Sequence, residues 1–143
     1  MNKNISKSIG VIILAFIVNA LLSMLTDFLL EAIGVLPNPE KGLFETRAIL
    51  FVLFYRAVYT VLTGFIVSRL APDRPTLHAI ILGAIGIIIT LLAISNPEIA
   101  QKSKLWFGYA LAAITIPCLL VGVKIQQNWN KNRRTDKTTT ANI

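Results

Sequence analysis

Four long apolar runs, separated by short polar or proline-bearing stretches, set the pattern of this chain. The first covers residues 9–34, the second 48–69, the third 77–95 and the fourth 105–123. Each is long enough, at a helical rise of about 1.5 Å per residue, to span most or all of a hydrocarbon core roughly 30 Å thick. None shows the strict alternation of a half-buried strand. The pattern predicts an all-α integral membrane four-helix bundle occupying residues 1–123.

The breaks between runs are equally informative. Pro37, Asn38, Pro39 and Gly42 end the first run and predict a loop. Pro72 and Pro75 prevent the second helix from continuing, and Thr76 is the expected N-cap of the third. Asn96-Pro97 ends the third run, and residues 98–104 read as a polar loop. Trp106, Phe107 and Tyr109 then suit an interfacial aromatic belt. Beyond residue 123 the chain is polar and lacks apolar periodicity, so residues 124–143 are expected to be a basic, disordered tail.

The amino end resembles a secretory leader, with Lys3 and Lys7 before an apolar stretch and a small-residue Val18-Asn19-Ala20. Hydrophobicity continues through Leu30, however, which is too long for a leader's apolar core. An uncleaved first helix is the expectation.

Composition agrees with a membrane setting, since 55% of residues are apolar and only 15% charged. The net charge of +7 raises the question of nucleic acid. Its basic residues flank the apolar runs and form no face able to follow a phosphate backbone, so no nucleic-acid partner is expected. Orientation explains them better. Nine (Lys3, Lys7, Arg69, Arg74, Lys124, Lys131, Arg133, Arg134, Lys137) fall on the side of the termini. Four (Lys41, Arg47, Lys102, Lys104) fall on the other. The bias places both termini in the cytoplasm. In the tail, Lys131, Arg133, Arg134 and Lys137 are expected to face anionic lipid, with Trp129 at the interface.

One basic residue is out of place. Arg56 lies eight residues inside the second run, roughly 12 Å below its outer boundary. A guanidinium at such depth is costly unless it pairs or reaches water. Asp27 is the expected partner, because the first two helices run in opposite directions and their side chains lean toward each other. Asn19, Ser23, Asp27 and Glu31 recur at steps of four along the first helix. Arg56, Thr60, Thr63 and Gly64 share a face of the second, with Tyr55 and Tyr59 beside it. These positions define a candidate intramembrane polar site. Its bland reading is an ion pair that only locks two helices together; its sharper reading is a site for a solute, ion or proton.

Other features carry less. Cys118 is the only cysteine, which excludes an intramolecular disulfide. No His, Cys and carboxylate cluster has metal-ligand spacing, and no cofactor is expected. Small residues four apart (Gly64/Ser68, Ala79/Gly83, Gly108/Ala112) predict close helix contacts, within the bundle or with a second copy. Pro117 predicts a kink, with Thr115 or water taking the freed carbonyl of Ala113. His78 reads as an interfacial residue.

Arg69-Leu70-Ala71-Pro72-Asp73-Arg74-Pro75, followed by His78-Ala79 and Leu82-Gly83, resembles the central signature of small four-span bacterial inner-membrane proteins. Trp106-Phe107, Pro117 and Gly122 match the last helix of that group, and the resemblance covers roughly residues 56 to 123. It implies a four-span topology and a bacterial inner membrane. The group has no established activity and supplies no catalytic residues.

No paired nucleophile and base, HExxH motif or carboxylate pair on the cytoplasmic face suggests an enzyme. The expectation is a small accessory or interaction protein, packing with itself or with a larger membrane partner. The alternative is a small transporter or channel subunit using the Asp27/Arg56 seam.

Overall fold

A computed structural model describes the backbone of residues 3–38, 40–71 and 73–141, and side chains of these ranges between 6 and 133. Pro39 and Pro72 of the expected loops lie outside the described residues. The chain is all-α: α1 (Lys3–Ala32), α2 (Thr46–Leu70), α3 (Pro75–Ser95), the single turn α4 (Pro97–Ala100) and α5 (Leu105–Ala141). Among the described residues, α1, α2, α3 and α5 are long and apolar enough to cross a membrane.

The helix ends follow local chemistry. Gly34, at φ 76°, terminates α1 in the left-handed conformation. The Val35 N–H then donates to the Leu30 carbonyl (2.9 Å) and the Gly34 N–H to that of Glu31 (3.1 Å). This pairing satisfies carbonyls that a helix end would otherwise strand. At α3 the cap is Arg74 rather than the expected Thr76. Pro75 fits the first helical position, where its missing N–H is harmless, and so the cap moves one residue upstream. The expected 98–104 loop contains α4, whose start is fixed by Asn96 Oδ1 accepting from the Glu98 N–H at 3.0 Å.

α2, α3 and α5 form the compact part of the bundle, with α5 packed most extensively on α2 and then on α3. The small residues explain the fit. A side chain at Gly64 would overlap the backbone of Leu119, and one at Gly122 would overlap that of Val61. A Cβ at Gly83 would lie 2.8 Å from Ile116 Cγ1. Ala79, Leu82, Leu119 and Val123 join Val67 and Ala15 in one buried cluster. A second cluster, Leu36, Val52 and Tyr55, closes the other end. There the Leu43 N–H donates to the Lys102 carbonyl at 2.6 Å, and Lys104 Nζ to Thr46 Oγ1 at 3.0 Å. The α1–α2 and α3–α5 connections therefore meet at one end of the bundle.

α1 is peripheral. Only 6% of its most apolar stretch is buried within the chain, against 28% for α2 and α5.

The tail differs from expectation. α5 continues through the residues predicted to be disordered, as far as Ala141. Val123 and Gln126 are buried, and Ser68 Oγ donates to Gln126 Oε1 at 3.1 Å. The Trp129 ring meets Phe65 edge-on, with centroids 6.3 Å apart. Composition missed this because an already nucleated helix propagates through Lys, Gln and Arg, which are good helix formers. Pro117 also lies within a continuous helix. Thr115 Oγ1 donates to the Leu111 carbonyl at 2.7 Å, not to that of Ala113 as expected.

Candidate functional site

The predicted ion pair forms. Arg56 Nη2 lies 2.6 Å from Asp27 Oδ2. The other carboxylate oxygen, Oδ1, accepts from the Tyr55 hydroxyl. One turn further along α2, the Tyr59 hydroxyl and Thr26 Oγ1 are 2.8 Å apart. α1 is therefore held to α2 by three polar contacts from two neighbouring turns. The cause is register: Tyr55, Arg56 and Tyr59 lie on one side of α2, opposite Thr26 and Asp27 of α1. The Asp27 and Arg56 side chains are 26% and 33% exposed, so the pair stands at a boundary between an enclosed space and an open one.

The more enclosed of the two is a partly open cavity of about 180 Å³ walled by all four long helices. α1 contributes Asn19 and Ser23, and α2 contributes Arg56, Thr60 and Thr63. Thr90 of α3 and Thr115 of α5 complete its polar lining, while Phe16, Leu82, Ile89, Leu111 and Leu119 supply apolar walls. The open space is a groove along α1, bordered by Asn19, Ser23, Asp27, Glu31 and Arg56. Asn19, Ser23 and Arg56 border both. Arg56 thus lies where the two spaces adjoin.

The threonines of the cavity present acceptors. Thr60, Thr63, Thr90 and Thr115 donate their hydroxyl protons to carbonyls four residues back, those of Arg56, Tyr59, Gly86 and Leu111. Each can offer the cavity only a methyl group or an acceptor lone pair. Asn19 Oδ1 and Arg56 Nε are buried and without a partner among the described residues. Such groups are rare in folded interiors and mark places where a further polar group is accommodated.

Of the sequence-predicted residues, Asn19, Ser23, Thr60 and Thr63 are brought together with Asp27 and Arg56. Glu31 borders the groove but forms no ion pair among the described residues. Gly64, expected on the seam, packs against α5 instead, because its missing side chain is what lets Leu119 approach. His78, in the first turn of α3, is buried, and its Nδ1–H donates to the Arg74 carbonyl at 3.1 Å. Lys131 and Arg133 are exposed on the extension of α5, and the side chains of Arg134 and Lys137 lie outside the described residues. Thr115 was not singled out for the site. Its position two residues before Pro117, on an otherwise apolar helix, was the available signal.

Among the described residues, no group of three His, Cys, Asp or Glu side chains is placed to hold a metal ion. Helices and site together define a multi-pass membrane protein with a polar interior. Comparison with protein-family models, with curated proteins and with solved structures found no match.

Proposed function

We propose that this chain is a small transporter or channel subunit that admits a polar solute to the interior of its bundle. One observation carries the reading: a partly polar cavity between membrane-spanning helices shares Asn19, Ser23 and Arg56 with an open groove, and the reading makes Arg56 the neck between the two. A helix pair needing only mutual adhesion would have no use for four threonines and an asparagine around a space of about 180 Å³. That volume is below the roughly 300–1,000 Å³ of a drug-sized pocket, which suits a solute of a few heavy atoms. The groove opens on the side of the paired loops, the non-cytoplasmic side if the basic-residue bias sets the orientation. The resemblance of residues 56–123 supports a bacterial inner membrane.

The test is solute uptake by reconstituted vesicles. Asp27→Asn and Arg56→Gln are expected to abolish uptake per molecule of folded protein. Loss of protein with normal uptake per molecule would make the pair a structural clamp.

A second reading, an accessory protein that packs with itself or a larger membrane partner, is favoured by α1. Most of its apolar surface faces outward, available to lipid or to another protein. Crosslinking in native membranes from cysteines at Leu21 and Phe28 is expected to capture a partner only under this reading.

A further inference from the structure

We infer that the solute is a small protonated amine, recognised by hydrogen-bond acceptors in the cavity and by an excess negative charge at its mouth. The inference rests on the solute-binding reading above and assigns its substrate class.

The cavity comes first. A ligand that fits it must complement what its walls can offer. The four threonine hydroxyls have spent their protons on their own helices, so their remaining capacity is to accept. Asn19 Oδ1, buried and unpartnered, adds a carbonyl acceptor. Against these stand the buried, unpartnered Arg56 Nε and the donors of the Asn19 amide and the Ser23 hydroxyl. An ammonium group carries three donors and no acceptor, and so complements the four threonine oxygens and Asn19 Oδ1, the more numerous side of the lining. A carboxylate or phosphate presents only acceptors and would leave most of the lining unanswered.

Charge at the mouth selects in the same direction. Asp27, Glu31 and Arg56 border the groove, two carboxylates against one guanidinium. Arg56 is neutralised by Asp27, and Tyr55 holds the second Asp27 oxygen. Glu31 has no cationic partner among the described residues, so its charge is available to an incoming cation. An anion would meet the same carboxylates as a barrier. Arg56 does not reverse this. Its charge is already shared with Asp27 at 2.6 Å, and an ammonium entering the neck competes for that same carboxylate. Amine arrival and loosening of the α1–α2 clamp thus become one event, which is how occupancy would open the neck.

Three solutes of nearly equal size and different charge separate the possibilities: ethanolamine, ethylene glycol and glycolate. Uptake of each is measured in phosphatidylethanolamine–phosphatidylglycerol vesicles containing the full chain, relative to protein-free vesicles. Ethanolamine is expected to be taken up in preference to the other two. Glu31→Gln is expected to raise the KM for ethanolamine about two- to fivefold, the loss of one partly screened ion pair. Glu31→Asp restores it, and Glu98→Gln, whose side chain borders neither space, leaves it unchanged. If ethylene glycol or glycolate is carried and ethanolamine is not, the amine assignment falls while the transport reading stands. If Glu31→Gln leaves the ethanolamine KM unaltered, Glu31 is not the recognition charge and the assignment is overturned. If none of the three enters faster than in protein-free vesicles, both readings fall together.

Discussion

Asp27 is the residue on which the site's energetics converge. It answers Arg56 with one oxygen and Tyr55 with the other, so removing its charge strands two donors at once. Hydrogen bonds to a charged group contribute about 1.5–3 kcal/mol each, more than neutral ones. Tyr55→Phe, which deletes a bond to the carboxylate, is therefore expected to destabilise the bundle by about 1.5–3 kcal/mol. Tyr59→Phe deletes a neutral bond to Thr26 and is expected to cost about 0.6 kcal/mol, the average for such contacts in membrane bundles. Thermal unfolding of both variants in one detergent would rank them. Equal effects would mean that the Asp27 charge is not what Tyr55 serves. A double-mutant cycle on Asp27→Asn and Arg56→Gln should yield a coupling of about 1–3 kcal/mol, since the two side chains touch directly.

At the scale of helices, the contacts that hold the bundle and those that shape the site fall on different elements. α2 and α5 meet through Gly64 and Gly122, where neither helix has room for a side chain. Gly64→Leu or Gly122→Leu must push the two backbones apart, and overpacking of a tight contact commonly costs 1–3 kcal/mol or more. Both are expected to lower folded yield in detergent sharply. Gly10→Ala in α1, where an added Cβ meets nothing within 4 Å, is expected to leave the yield unchanged. This division also explains what the sequence made legible. The four spans and the Asp27–Arg56 pair were readable because a charge inside an apolar run has few physical solutions, and the antiparallel neighbour offered one acid at matching depth. The cavity was not readable. It depends on Thr90 and Thr115 being brought opposite Asn19 by helix rotation, and periodicity along one chain does not fix rotation between helices. The course of α5 beyond Val123 was misjudged for a related reason. Gln126 looks like tail until its place four residues after Gly122 puts it against Ser68.

The molecule as a whole has two distinct ends, and that asymmetry is open to a direct chemical test. At one end the α1–α2 connection is stitched to the α3–α5 connection, Leu43 pairing with Ser103 as in a short parallel strand. Residues paired in this way lie about 4.8 Å apart, within the span a disulfide bridges. With Cys118 replaced by Ala, Leu43→Cys and Ser103→Cys are expected to form an intramolecular disulfide under mild oxidation. It would close a loop of about sixty residues without disturbing the helices, and the chain should migrate faster on a non-reducing gel. At the other end lie the start of α1, the α2–α3 connection and the extension of α5, which together carry nine of the fourteen Lys and Arg residues. If that bias sets the orientation, a lone cysteine at Ser103 is labelled by a membrane-impermeant maleimide in intact cells. One placed at Arg74 is labelled only after the membrane is opened. The opposite pattern would turn the bundle over in the bilayer, so that the Asp27–Glu31 groove would open toward the cytoplasm.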